Sequence, residues 1–236
     1  MAPREMPDGE FTICRIMYDS DRAELWGAGW RTDYPLGENN LMIRFSELTR
    51  TGVSKDQGHQ PNHWVVRLTD DQLFNCPYTV ASDVGTMALS DREIVKFREY
   101  LLKGGFLWVD DFWGEAAWEQ WAGVMHDVLP DRPIEDVPLS DPIFRSQFVV
   151  RKMPQVPRYP FWVDSGGQTS ERGEETKEPH FRAIRDDKGR IIVVMTHNTD
   201  MGDSWEREGE QPEYFRAFSV DGYALGVDVL LYALTH

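Results

Sequence analysis

One segment near the middle of the chain constrains the fold more than any other. Residues 106–110, Phe-Leu-Trp-Val-Asp, are apolar without alternation until the closing acid, which is typical of a strand covered on both faces in a parallel sheet. Ser90 and Glu93 have the spacing of a capping box that opens the preceding helix, and 115–129 has the periodicity of an amphipathic helix. A doubly covered strand between two helices predicts an α/β fold with right-handed crossovers.

The rest of the chain continues this alternation of strands and helices. Strand patterns occur at 11–18, 63–68, 78–82, 181–185 and 190–195, with shorter ones around Ile134 and Phe148. We expect one further helix to begin at Asn39 or Asn40 and another to span 222–234, where nearly every residue is apolar. The pattern predicts a flavodoxin-like, three-layer α/β fold with a mainly parallel central sheet.

The predicted organisation is simple. Residues 1–10 are rich in proline and polar residues and are expected to form a flexible arm. Residues 11–236 are predicted to form a single α/β domain. Within it, 165–179 is rich in Gly and Glu and almost free of apolar residues, so we expect a mobile loop there.

Charge and hydropathy exclude several classes of partner. The formal net charge is −15 and no cluster of Lys or Arg stands out, whereas a nucleic-acid-binding protein needs a basic surface to displace counterions. No apolar stretch approaches the roughly 18 residues that a membrane span requires. We therefore expect neither nucleic acid binding nor direct membrane insertion.

The two cysteines and the amino terminus bear on localisation. Cys14 and Cys76 fall near predicted strand ends, so a disulfide is geometrically conceivable, but two buried free thiols are the favoured expectation. Residues 1–7 look like a start Met placed before a trimmed amino terminus. A removed signal peptide would fit that pattern, so an exported and a cytoplasmic location both stay open.

Polar residues gather where the predicted strands end. In open parallel sheets, ligands bind at the carboxyl ends of the strands, near a switch in strand order. Acids or an imidazole follow the strands at 18–19, 82–85, 110–114 and 197–200. This rule and the neighbouring loops give the following ligand-binding candidates: Asp19, Trp30, Asp33, Tyr34, Asp83, Asp110, Trp113, Asn198, Asp200, Trp205 and Glu206.

Asp111 and His197 are the candidates for catalysis. Asp111 lies between a buried strand and a helix, where a nucleophile elbow would place its nucleophile; it could cap the helix, bind a ligand or metal, or act as a covalent nucleophile. His197 could be a general base or could bind a metal together with Asp111 and Asp200. The structural alternative is that His197 closes a strand and Asp200 caps a short helix. No cofactor is predicted, although a divalent metal fits these residue types.

An aromatic, Gly-rich loop at 19–38 suggests what such a site would recognise. Trp26, Trp30 and Tyr34 stand among acids and amides, and aromatic faces next to carboxylates suit a glycan or a peptide. An ordered loop packed by its own aromatic side chains explains the pattern equally well.

These residues resemble a bacterial family known as domain of unknown function 4159. The matching segments are 11–18, Trp30 with Asp33-Tyr34-Pro35 and Gly37, 39–41, 68–70, 89–91, 104–107 with 110–111, 130–132, Leu139 with Asp141 and Phe144, and Asn198 with Asp200, Trp205 and Glu206. The resemblance covers nearly the whole chain and implies similarity in fold to class I glutamine amidotransferase-like domains. In that superfamily, Asp111 would stand near the place of the nucleophilic Cys and His197 near that of the catalytic His.

Three hypotheses about function follow. The family resemblance implies an exported, periplasmic domain without the amidotransferase Cys, and the leading hypothesis is that it binds a small polar ligand, a glycan or a peptide, at the strand ends. The alternative is a hydrolase, metal-assisted or not, that uses Asp111 and His197. The second alternative is a non-catalytic interaction module with a protein partner in an envelope complex.

Overall fold

A computed structural model describes residues 1–3 and 8–236, so the middle of the predicted amino-terminal arm, residues 4–7, lies outside the described residues. The strands are β1 (Ile13–Met17), β2 (Asp19–Ser20), β3 (His63–Arg67), β4 (Tyr78–Ser82), β5 (Met87–Ala88), β6 (Phe106–Phe112), β7 (Glu135–Asp136), β8 (His180–Arg185) and β9 (Ile191–His197). The helices are α1 (Leu36–Thr49), α2 (Asp91–Leu102), α3 (Gly114–Val128), α4 (Tyr159–Asp164), α5 (Met201–Glu206), α6 (Pro212–Tyr214) and α7 (Val220–Thr235).

A seven-stranded sheet runs through the molecule in the order β3-β1-β4-β6-β9-β8-β7. The first five strands are mutually parallel. At one edge, β8 pairs antiparallel with β9, and β7 pairs antiparallel with β8. From β1 the chain adds β3 on one side and β4 on the other, so strand order switches between β1 and β4. The prediction of a mixed α/β fold with a mainly parallel central sheet is confirmed.

Both faces of the central sheet are covered, as the apolar run of β6 predicts. Phe106 and Trp108 belong to one apolar cluster, and Leu107 and Val109 belong to the other, because successive side chains of a strand point to opposite faces. Residues of α1, α5 and α7 complete the first cluster, and those of α2 and α3 complete the second. This arrangement leaves the carboxyl edge of the parallel strands as the place where polar groups collect.

Helix boundaries agree with the sequence in one case and differ in another. The capping box of α2 is present, with the Ser90 amide donating to Glu93 Oε2 at 2.9 Å. The prediction that Asn39 or Asn40 starts α1 is wrong: the helix already begins at Leu36, after Pro35, and no side chain caps it. The predicted strand around Phe148 is absent among the described residues, and β7 is the short strand near Ile134.

Cys14 and Cys76 form a disulfide, so the expectation of two free thiols is wrong. Both cysteines are fully buried, and they join β1 to the segment just before β4. These two strands are neighbours in the sheet but far apart in sequence, so only the topology brings the thiols together.

The last helical segment is strongly apolar because much of it is buried in the domain core. By length and hydropathy, Pro212–Thr235 could cross a membrane, which sequence inspection missed because Asp221 and Asp228 interrupt the apolar run. In the structure, 61% of its most apolar window is buried inside the domain. A core helix passes the same test as a membrane span, so the expectation of no membrane insertion stays a prediction.

Candidate functional site

Three neighbouring parallel strands end in a residue with left-handed backbone. Asp83 follows β4, Asp111 lies near the end of β6 and Asn198 follows β9, with φ of 55°, 53° and 60°. Asp and Asn tolerate this conformation better than other residues that carry a Cβ. The three turns are joined, since the amide of Asp83 donates to the carbonyls of Asp110 and Asp111, and the amide of Asn198 donates to that of Phe112. The chain therefore bends away from the sheet at one shared edge.

A cavity of about 200 Å³ opens at this edge. Its volume is below the ~300–1,000 Å³ of pockets that bury drug-sized ligands, so it suits one small polar ligand. Charged side chains dominate its lining, which includes Glu24, Arg31, Asp33, Asp83, Asp111, Arg158, Glu171, Arg172, Asp200, Asp203, Glu206 and Arg207.

Three of these carboxyl groups converge without a basic partner. Ligand oxygens of Asp33, Asp111 and Asp200 all lie within 4.8 Å of one another. Among the described residues, no Lys, Arg or His forms an ion pair with any of the three, whereas other lining acids do have one. The buried Oδ2 of Asp33 also has no hydrogen-bond partner. Oxygen-only ligand sets of this kind suit hard cations such as Mg²⁺, Ca²⁺ and Mn²⁺.

A second group of acids shares Asp33, but its other two members already pair with an arginine. Ligand oxygens of Asp33, Asp203 and Glu206 also lie within 4.8 Å of one another. Here Arg207 Nε lies 3.1 Å from Glu206 and 3.6 Å from Asp203. Because the guanidinium group supplies a positive charge at this end, the group of Asp33, Asp111 and Asp200 is the better cation site.

Glycine at 202 makes room for the shared acid. A Cβ built on Gly202 would overlap the Asp33 carboxylate, Oδ2 included. The Gly202 amide meanwhile donates to Asp110 Oδ2 at 2.8 Å, which holds the start of α5 against β6. The first turn of α5 therefore approaches Asp33 closely enough for the carboxylates to meet.

Burial and crowding disfavour the charged form of these acids. The pKa of Asp33, Asp111 and Asp200 is well above the usual value, first because each is desolvated and second because neighbouring carboxylates repel. Burial raises the pKa of Asp83 to about 6 even though the Gly29 amide donates to its Oδ2. Buried acids with raised pKa values are common at binding and catalytic sites, where a cation or protons stabilise them.

Comparison with protein families finds a match that covers most of the chain. The profile described as Domain of unknown function (DUF4159) matches residues 12–234. The chain belongs to the DUF4159 family. No curated protein matches it. The family prediction is therefore confirmed, and the similarity to glutamine amidotransferase-like domains stays a prediction.

Asp111 does not cap α3 in this DUF4159 chain. Its Oδ1 accepts the Trp113 indole N–H at 2.9 Å instead. The two first amides of α3, those of residues 114 and 115, donate to Asn198 Oδ1 at 2.9 Å and to Glu175 Oε1 at 2.7 Å. Because other side chains satisfy the helix, the carboxylate of Asp111 is available to the cavity that it lines.

Asp200 caps a helix and also lines the cavity. Its Oδ1 accepts the amide of Asp203 at 2.8 Å and so caps α5, as predicted. The residue is 3% exposed, and it lines the cavity beside Asp33 and Asp111. Helix capping uses a single oxygen of a carboxylate, so it is compatible with a place in the cation site.

His197 lies apart from the carboxylates. Its ring packs against Phe112 at 4.9 Å, Trp118 at 5.4 Å and His180 at 5.6 Å between centroids, and it does not line the cavity. Nε2 lies 3.1 Å from the Gly114 carbonyl. Burial lowers the pKa of His197 to about 4, so the ring is neutral at pH 7. The grouping of Asp111 and Asp200 with His197 as metal ligands is replaced by the grouping with Asp33.

The remaining predicted residues divide between the cavity and its surroundings. Tyr34, Trp113 and Glu206 line the cavity with the acids described above. Asp110 and Trp205 are buried and do not line the cavity. Asp110 accepts a hydrogen bond from the Thr196 hydroxyl at 2.5 Å, and burial raises its pKa to about 6. Trp205 packs against Trp108. Asn198 supports α3. Asp19 and Trp30 are outside the cavity, Asp19 on the exposed strand β2 and Trp30 against the Tyr34 ring.

The sequence did not predict that residues of the 165–179 segment, or Arg158 just before it, line the cavity. Glu171 and Arg172 line the cavity, and the Glu171 carboxylate accepts the Arg158 amide at 2.6 Å. Thr176 of the same segment is fully buried. The polar composition gave no sign that the segment folds over the strand ends. Its mobility stays a prediction.

Proposed function

We propose that this DUF4159 chain is a cation-dependent binding domain: Asp33, Asp111 and Asp200 hold a divalent cation, and the cation holds a small polar ligand in the cavity. The convergence of these three carboxyl groups without a basic partner carries the proposal. A cation would offset the repulsion between them and would leave coordination positions for a ligand oxygen. A sugar hydroxyl or a peptide carbonyl would fit this role, so glycans and peptides are the ligand classes that we favour.

Calorimetric titration of the full chain with Mg²⁺, Ca²⁺ and Mn²⁺ at pH 7.5 tests the site. A cation at 100 times its dissociation constant should stabilise the fold by about 2.7 kcal/mol, or roughly 5 °C in Tm for a domain of this size. Asp200→Asn keeps the oxygen that caps α5 and should weaken cation binding at least tenfold. Asp19→Asn is the matched control, because Asp19 is an exposed acid outside the cavity. Equal losses in both variants, or no binding of any cation, would overturn the proposal.

A specific observation favours a second candidate, a metal-assisted hydrolase. Asp111 has a left-handed backbone near the end of β6, its pKa is raised by burial, and it lines the cavity. A carboxyl group of this kind can act as a general acid or base beside a bound cation. Release of p-nitrophenol from phosphate and acetate esters in the presence of Mn²⁺ would test this. Asp111→Asn should abolish turnover, and His197→Gln should leave it in place.

We further propose that the domain is exported to the periplasm and has a flavodoxin-like arrangement. The buried disulfide supports export, since disulfides persist mainly in oxidising compartments. The order of the five parallel strands supports the fold proposal: counted along the chain they lie in the order 2-1-3-4-5, which is the flavodoxin-like order. Secretion of the native gene product with an oxidised Cys14–Cys76 pair would support export. A reduced pair in the cytoplasmic fraction would contradict it.

A further inference from the structure

Two of the arginines at the mouth of the cavity form no ion pair with any residue that the structure describes. Four guanidinium groups line the cavity. Arg207 is paired with Glu206 and Asp203, and Arg172 is paired with Glu24. In the part of the chain that the structure describes, Arg158 and Arg31 have no carboxylate within 4.0 Å of their side chains.

Arg158 is held in a defined position by an aromatic ring. Its guanidinium carbon lies 4.8 Å from the centre of the Trp26 ring, and Arg172 lies 5.9 Å from the same ring. Stacking uses the face of a guanidinium group and leaves the N–H groups at its edge free for a planar or tetrahedral oxyanion. Arg158 therefore lies over the ring with no carboxylate of the described chain within ion-pair distance of its guanidinium group.

The backbone of Trp26 supports a binding role for this contact. Trp26 has φ of 71°, and a left-handed conformation costs a bulky residue on the order of 1–3 kcal/mol, which persists only where the surroundings enforce it. Trp26 is 47% exposed, and its ring contacts Arg158, Arg172 and Phe161. The strained residue thus places its ring beside two arginines that line the cavity.

We infer that the ligand of this site carries an oxyanion, a phosphate or a carboxylate, which Arg158 binds at the mouth while an oxygen of the same ligand meets the cation at Asp33, Asp111 and Asp200. This inference rests on the proposed cation site. The deep carboxylates would repel an anion, and the bound cation would remove this repulsion. The cavity volume limits the ligand to about one sugar ring or an acid of similar size, so a sugar phosphate or a sugar acid is the expected class.

Binding of three matched probes to the full chain loaded with Mn²⁺ tests the inference. Glucose 6-phosphate and glucuronate carry the two oxyanions, and glucose carries neither. At least one charged probe should bind ten times more tightly than glucose. A preference for the phosphate or for the carboxylate identifies the oxyanion, and binding of both shows that the charge alone is recognised. Equal binding of all three would overturn the inference.

Variants of the arginine separate this role from a structural one. Arg158→Gln should weaken binding of the charged probe at least tenfold and leave the affinity for Mn²⁺ unchanged. Arg158→Lys should restore part of the affinity for the charged probe. Arg216→Gln, on the exposed Arg216 that pairs with Glu213, is the control. An unchanged affinity in Arg158→Gln would overturn the inference.

The same probes distinguish failure of the inference from failure of the cation site. If Mn²⁺ does not bind, the titrations are repeated without metal. A preference for charged probes that depends on Arg158 would then support the oxyanion inference although the cation site had failed. Without such a preference, both proposals would fail.

Discussion

Replacing Asp83 by Asn should stabilise the metal-free protein, and the gain should depend on pH. Asp83 is 3% exposed, and burial raises its pKa from 3.8 to about 6. A carboxyl group whose pKa is higher in the folded state stabilises the fold fully below its unfolded pKa, and that contribution is lost as the pH rises through the folded pKa. Above pH 7 the folded protein must keep a buried charge, which Asn removes. The Oδ1 of Asn can still accept from the Gly29 amide.

The magnitude follows from the two pKa values. Between pH 7 and pH 5 the folded protein takes up a proton at Asp83, while the unfolded chain remains ionised there. With a pKa of about 6 in the folded state and 3.8 in the unfolded state, wild type should gain about 1.3 kcal/mol over this interval from Asp83 alone. The stabilisation by Asp83→Asn should therefore be about 1.3 kcal/mol smaller at pH 5 than at pH 7, or roughly 3 °C in Tm.

Urea unfolding of both proteins at pH 5, 6 and 7 in the presence of a chelator measures this quantity. The difference between the proteins cancels groups that titrate in both, including His197, whose pKa is lowered by burial to about 4. Glu99, with a pKa of about 2, titrates below the interval. Parallel pH profiles of wild type and Asp83→Asn would refute the argument that burial raises the pKa of Asp83. Asp19→Asn, in an exposed residue outside the cavity, is the control.

Three further predictions concern the supports of the site. Replacing Cys14 and Cys76 by Ala should lower the free energy of unfolding by about 4 kcal/mol, from the loop entropy of a cross-link with a sequence separation of 62; an unchanged urea midpoint would contradict this. Gly202→Ala should weaken cation binding at least tenfold in calorimetry, because the new Cβ overlaps the Asp33 carboxylate, and full affinity would show that Asp33 is not a ligand. Asn198→Ala should cost about 2 kcal/mol in urea unfolding, since it removes a hydrogen-bond acceptor from the amide that opens α3. Asn198→Gly also lacks the acceptor but tolerates the left-handed backbone, so an unchanged stability in Asn198→Gly would contradict a capping role.

The sequence predicted the parts of the fold that depend on local pattern. Strand β4 was predicted with its observed limits, 78–82, and the capping box of α2 was predicted from Ser90 and Glu93. These features are set by neighbours along the chain, through hydrogen bonds and alternation that a short window contains. Helix α4 and the disulfide escaped prediction, because the first is only six residues long and the second depends on which strands become neighbours.

The site was predicted in its location and only partly in its members. The rule that ligands bind at the carboxyl ends of parallel strands pointed to Asp83, Asp111 and Asp200, which do line one cavity. It also pointed to His197, because position at a strand end does not determine the face on which a side chain lies. Arg158 could not be found in this way, since a connecting segment far from any strand end brings it to the cavity.

The left-handed turns at Asp83, Asp111 and Asn198 have a consequence for how such a site can be altered. At each of these positions the residue that sets the path of the main chain is also the residue that offers oxygen atoms to its surroundings. A change to Ala or Val would disturb both properties together, so lost binding could reflect a displaced loop as easily as a missing ligand. Exchange between Asp and Asn alters the charge and spares the bend, which makes it the appropriate substitution for separating chemistry from architecture at this edge of the sheet.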